Sequence, residues 1–158
     1  DETGSTFEEN ALLKARHFAR ASGLLTLADD SGLEVAALGG APGIYSARYA
    51  GEHCSYADNN EKLLRELAGK PDRSACFRTV IALSDPEGNV RTVAGACPGK
   101  IIEALSGANG FGYDPLFVPD GYSETFAELD AALKNRISHR ANALKKAHQA
   151  WGELLSSL

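Results

Sequence analysis

Leu24-Leu25-Thr26-Leu27-Ala28-Asp29-Asp30-Ser31-Gly32 is the segment on which the reading of this chain turns. Its apolar half, bounded by Gly23 and Gly32, has the length and composition of a buried strand. Successive strand side chains point to opposite faces, so Asp29 and Asp30 cannot share one. At least one of the two carboxylates is expected near the carboxyl end of a sheet, where open α/β folds place their ligand crevice. A buried carboxylate needs a partner. A hard divalent cation is one candidate. An ordinary turn, in which both acids begin the next element, is the other.

On either side of this segment the pattern alternates between helix and strand. Upstream, Ser5 and Thr6 are N-cap candidates with Glu8 and Glu9 in capping-box register. Phe7, Ala11, Ala15, Phe18, Ala19 and Ser22 form a helical stripe that Gly23 ends. Downstream, a second short strand is expected at 33–36, followed by a loop at Gly39-Gly40-Ala41-Pro42-Gly43. Asp58-Asn59-Asn60 is expected to open a helix that runs through Leu63, Leu64 and Leu67 to Gly69. Two β-rich stretches, 74–84 and 90–97, are joined by Asp85-Pro86-Glu87-Gly88-Asn89 as a hairpin. A strand near 115–118 and a short helix around 125–130 come next. The last helix starts after Ser138, with Leu144, Ala147, Trp151, Leu154, Leu155 and Leu158 as its buried stripe. This order implies an α/β or α+β fold with a mixed sheet flanked by helices.

The 158 residues are most simply one domain, 1–158, with no linker or repeat. No apolar run approaches the ~18 residues of a membrane span, and no signal peptide is visible. A net charge of -5 and a pI near 5.4 argue against a broad nucleic-acid surface. Cys54, Cys76 and Cys97 are widely spaced and odd in number, which fits neither a zinc site nor a disulfide framework and suits a reducing, cytoplasmic setting. The chain contains no methionine and begins at Asp1, so it reads as lacking its natural beginning.

Four constellations could carry chemistry. The acids Asp29 and Asp30, with Asp1 and Glu2 before the first helix, are oxygen ligands of the kind Mg²⁺ accepts. The stretch from Gly39 to Arg48 could offer N–H groups and a guanidinium to an anion, or be only a turn. It lacks the Gly-Lys-Ser/Thr ending of a Walker A loop. Gly107-Ala108-Asn109-Gly110-Phe111-Gly112-Tyr113-Asp114-Pro115 puts two aromatics in a glycine-rich loop, either as a stacking surface for a flat ring or as core plugs. Lys134 is followed by Ser138-His139-Arg140, which place cations at the start of the last helix, where the dipole disfavours them; they serve a ligand or are a solvated helix end.

Taken together, Thr6 to Ala15, Ala28 to Leu33, Gly39 to Arg48, Gly110 to Pro115 and Ser138-His139-Arg140 resemble, in order, the motifs of the inosine triphosphate pyrophosphatase (RdgB-like, dITP/XTP pyrophosphatase) family. The resemblance covers nearly the whole chain. It implies an α/β fold with a long mixed sheet, two lobes and a central cleft, usually as a homodimer. The implied reaction is Mg²⁺-dependent hydrolysis of ITP, dITP and XTP to the monophosphate and pyrophosphate. By the same resemblance Asp30 is the proton acceptor for the attacking water and a metal ligand, with either Asp1 or Glu2 as the second metal carboxylate. Lys14 and Ser31 stand for the phosphate-side contacts. Phe111, Gly112, Tyr113 and Asp114 stand for the base and sugar loop, and Lys134, His139 and Arg140 for the base-reading group. The family's first strand and phosphate-cradling loop, about forty residues, are expected to be missing. A nucleotide-binding fragment without turnover and a pyrophosphatase for modified pyrimidine nucleotides are the alternatives. A phospho-accepting receiver domain would need a further strand-end Asp, and Asp85 falls in the hairpin turn instead.

Overall fold

The computed structural model describes residues 3–156, with side chains described through residue 154. The chain is α/β. Its elements are α1 (Phe7–Ser22), β1 (Thr26–Val35), α2 (Tyr56–Leu67), β2 (Ser74–Ser84), β3 (Val90–Ile101), β4 (Phe117–Pro119), α3 (Ala131–Ile137) and α4 (His139–Ser156), with three short 3₁₀ turns between them. The strands form one antiparallel sheet in the order β1-β2-β3-β4, flanked by helices. In β3 and β4 Gly99 lies opposite Pro119 and Ile101 opposite Phe117.

The chain divides into two compact units. One comprises Asp1–Ser31, Arg78–Ala96 and His139–Leu158; the other comprises Gly32–Phe77 and Cys97–Ser138. Strands β1, β2 and β3 each begin in one unit and end in the other.

In the first unit β2 buries both of its faces. Val80 and Ala82 meet Ala11, Leu12 and Ala15 of α1 together with Ala28. Ile81 and Leu83 meet Ala143, Ala147 and Trp151 of α4, with Leu25 and Val93 alongside. Alternation along one strand therefore sends two helices to opposite faces. Alanines at 11 and 15, both fully buried, let α1 lie close against the sheet. At the other face a Cβ on Gly95 of β3 would run into the backbone of His139 and Ala143, so α4 starts in direct backbone contact with the sheet. Asn142 Nδ2 adds a 2.8 Å bond to the Ala96 carbonyl.

The core of the second unit gathers Leu33, Val35, Leu63, Leu67, Cys97, Ile101 and Leu116 around Phe77, Phe117 and Phe126. The Phe77 and Phe117 rings meet edge to face at 4.6 Å, a favoured aromatic geometry.

The structure corrects several expectations. Residues 24–36 are not two strands with a break at Gly32; β1 runs unbroken from Thr26 to Val35. Gly32 is buried within it, and the Asp30 carbonyl accepts a bond from Thr79 Oγ1 of β2 at 3.2 Å, so the backbone there has partners and no turn. Helix α2 opens earlier than Asp58, at Ser55, whose side chain and Asp58 form a reciprocal capping box. Residues 125–130 make turns closed onto the Thr125 carbonyl rather than a helix, and the helical run starts at Ala131 with Asp130 as its cap. The strand near 115–118 begins only at Phe117 because Asp114–Leu116 is a 3₁₀ turn. Phe18, Leu144 and Leu154 are exposed rather than buried. Around them small residues such as Ala11, Ala15, Ala143 and Ala147 already fill the close contact with the sheet, so the large ones sit on the flank. Leu155 and Leu158 lie outside the described side chains. Among the described residues Cys54, Cys76 and Cys97 form no disulfide.

Candidate active site

In the first unit β1 carries Asp29, Asp30 and Ser31 as consecutive strand residues. Alternation divides them between the two faces. Asp30 is 7% exposed. Its Oδ1 lies 3.6 Å from Lys14 Nζ, which α1 projects from the turn between its buried Ala11 and Ala15. Asp29, on the other face, is half exposed and 3.8 Å from Arg140 Nε. Arg140 Nη2 donates to Ser31 Oγ at 3.2 Å. Leu27, Thr79, Ile81 and Leu144 line a recess around the Asp29–Arg140 pair. The expected phosphate-side pair is therefore split: Lys14 is with Asp30, and Ser31 is with Arg140. His139, half-buried, is the first residue of α4, and its carbonyl is packed against Gly95.

In the second unit five of the expected residues come together. Asp114 is 4% exposed, and its Oδ2 accepts from Lys134 Nζ at 2.5 Å and from the Phe111 N–H at 3.1 Å. Lys134 Nζ also lies 4.9 Å from the centre of the Phe111 ring, within cation–π range. Gly110 makes this possible. Its φ of +74° disfavours an L side chain, and a Cβ there would collide with Asp114 Oδ2. Phe111 is 51% exposed, a surface on which a flat ring could stack. Tyr113 is different. It is 5% exposed, and its hydroxyl donates to the Ser46 carbonyl at 2.6 Å. Burial pushes its phenol well above the ordinary tyrosine range, so it stays a neutral donor.

Two residues that tie this loop down were not singled out from the sequence. Ser46 Oγ accepts from the Leu33 N–H of β1 at 2.9 Å and donates to the Gly43 carbonyl at 2.6 Å. It thus joins the strand just beyond the acidic pair to the tyrosine of the loop. Asn60 Nδ2 of α2 donates to the Gly112 carbonyl at 3.0 Å. The available signal was the pair Asn59-Asn60 inside a helix, where asparagine is a poor helix former and needs another reason to be present. Arg48, for which the sequence left an anion contact and a plain turn both open, lies 5.1 Å over the Tyr45 ring.

Asp1 and Glu2 lie outside the described residues. Among the described residues no trio of His, Cys, Asp or Glu is grouped to hold a metal. No helix is long and apolar enough to cross a membrane among them.

Comparison with known proteins gives a consistent picture. Residues 1–150 match the Ham1 family. A curated protein of Desulforamulus reducens named dITP/XTP pyrophosphatase is 54% identical over 156 residues, spanning 98% of this chain and 78% of its own length. The Bacillus subtilis protein of the same name is 51% identical over 148 residues, 92% of this chain and 75% of its own. Among solved structures, the Staphylococcus aureus Ham1 protein superposes with a TM-score of 0.92 at 50% identity, covering 97% of this chain and 79% of that one. A HAM1 protein from Coxiella burnetii does so with a TM-score of 0.93 at 47% identity, covering 97% and 80%.

Proposed function

This chain belongs to the Ham1 family, and we propose from that premise that it hydrolyses deaminated purine nucleoside triphosphates (dITP, XTP and ITP) to the monophosphate and pyrophosphate. The observation that carries the proposal is the match along nearly the whole chain to relatives named for that activity. The local geometry supports it, because a buried carboxylate facing a lysine is a suitable start for phosphoryl chemistry.

In this reading Asp30 is the general base. It takes the proton of a water whose oxygen bonds to the α-phosphorus, while the bond from that phosphorus to the bridging oxygen breaks and pyrophosphate leaves with the electron pair. Lys14, beside Asp30, offsets charge on the triphosphate. Mg²⁺ fits the donor chemistry: it takes one or two carboxylates together with substrate phosphates and waters, and needs no all-protein cage. Asp30, with Asp1 or Glu2, would hold it, and when bound it supplies charge neutralisation at the phosphates.

Selectivity follows from donors aimed at the purine 6-position. Lys134 keeps N–H donors beyond the one that Asp114 uses. By the family resemblance His139 and Arg140 serve the same base-reading role. A 6-keto oxygen accepts from such donors, whereas adenine presents an amino group and leaves them unpaired. Phe111 supplies the stacking face. The whole chain acts as one domain of an ITPase-like enzyme, as a homodimer in the cytoplasm.

The test is a pyrophosphate-release assay on dITP, XTP, GTP and ATP with and without Mg²⁺. Rates on dITP and XTP at least about a hundredfold above those on ATP and GTP are expected, all lost on chelation. Binding of dITP without pyrophosphate release would make the chain a nucleotide-binding module instead, and equal rates on all four would overturn the selectivity.

A further inference from the structure

Asn60 stands out among the buried polar groups of the second unit. It is 4% exposed, one turn into α2. Its Nδ2 bonds the Gly112 carbonyl, 52 residues away in sequence. That bond fixes the amide orientation, since the opposite one would set two oxygens against each other. Its Oδ1 is buried and accepts no hydrogen bond among the described residues. The neighbouring Asn59 is the contrast. Its Oδ1 accepts from the Ala50 N–H at 2.8 Å and from the Cys54 thiol, and its Nδ2 donates to the Ala47 carbonyl, so both ends have partners.

A half-satisfied amide is a costly way to fill space. A leucine, with the same number and branching of side-chain heavy atoms, would occupy the site without an orphan acceptor. The one bond Asn60 makes falls between Phe111 and Tyr113. Gly112 has a φ of +61°, a conformation that only glycine adopts without strain, so the loop there depends on contacts to hold it. Tyr56 stands one helical turn before Asn60 on the same side of α2, and its ring centre is 6.4 Å from that of Phe111. The face of α2 that carries Tyr56 and Asn60 is therefore the one turned to the aromatic loop.

We propose that Asn60 is a positioning residue of the base-binding loop: by holding the Gly112 carbonyl it sets the orientation in which Phe111 meets the purine ring. This rests on the pyrophosphatase reading above, in which 110–114 is the base loop. Asn60 touches no reacting atom. Its loss affects binding and discrimination of the base, while the chemical step is left alone.

The variant Asn60→Leu separates this role from a structural one. It removes the buried orphan acceptor but takes the donor from the Gly112 carbonyl, so the melting temperature is expected to stay within about 5 °C of the parent, whereas the loop loses its anchor. Amide hydrogen exchange at 110–114 should quicken about tenfold, the equivalent of one net hydrogen bond, with β2 and β3 unchanged. The KM for dITP should rise about tenfold with kcat within about twofold, and the dITP-over-dATP preference should narrow. Asn60→Asp, which keeps the shape but replaces the donor by an acceptor, should give the same kinetic pattern. Unchanged loop exchange, or quickened exchange with an unchanged KM, overturns the proposal. A wild-type chain that releases no pyrophosphate overturns the functional reading instead, and the exchange experiment then decides alone whether Asn60 anchors the loop.

Discussion

Asp30 is 7% exposed with Lys14 at 3.6 Å, whereas Asp29, its neighbour in sequence, is half exposed toward Arg140. One peptide bond thus separates two carboxylates with different surroundings. Asp30→Asn keeps the shape and removes the base. Pyrophosphate release should fall about a thousandfold or more, with a melting temperature within about 5 °C of the parent. Substantial residual activity would move the base elsewhere. The Asp114–Lys134 pair allows a thermodynamic test, since both side chains are largely buried. Lys134→Ala should cost about 3 kcal/mol in urea unfolding, because it strands a carboxylate. Adding Asp114→Asn to it should recover much of that loss, and additive costs in the double-mutant cycle would deny the coupling.

At the level of helices and strands, the start of α4 lies in direct backbone contact with Gly95. Gly95→Ala should destabilise the protein by about 2–3 kcal/mol and lower turnover, since it displaces the residues from which His139 and Arg140 project. Unfolding free energy and turnover measured on one preparation check both. How far such features could be read from the sequence depended on their range. The cap at Thr6, the stop at Gly23 and the Asp85–Asn89 hairpin are local chemistry, and they stand where the residues put them. The alternation of Asp29 and Asp30 was likewise legible. The unbroken course of β1 through Asp29-Asp30-Ser31-Gly32 was not, because its backbone partners come from β2, some 49 residues on. Gly32 reads as a breaker only when that neighbour is unknown. The loop chemistry at 110–114 was legible from its glycines and aromatics, but its anchors Ser46 and Asn60 were not. Their partners lie 67 and 52 residues away, and no local spacing rule reaches that far. The exposure of Phe18 and Leu144 has a similar origin. A helical stripe gives the buried side of a helix, but which members of it touch the sheet depends on how closely the helix approaches.

Across the molecule as a whole, the aromatic residues are divided between the two units. The only tryptophan, Trp151, is 4% exposed in the first unit among Ile81, Leu83, Ala143 and Ala147. All five tyrosines, at 45, 49, 56, 113 and 122, belong to the second. The chain therefore carries two intrinsic chromophores that each report on one unit, with no label needed. Light absorbed by indole alone follows the burial of Trp151, and the phenol absorbance band follows the tyrosines. Because three strands are continuous through both units, the two signals should change at one denaturant concentration, as a single cooperative transition requires. Separate midpoints would mean that each unit unfolds by itself. The same two colours divide ligand effects: a purine settling on the 110–114 loop should perturb the tyrosine spectrum, and a change near α4 should perturb the tryptophan.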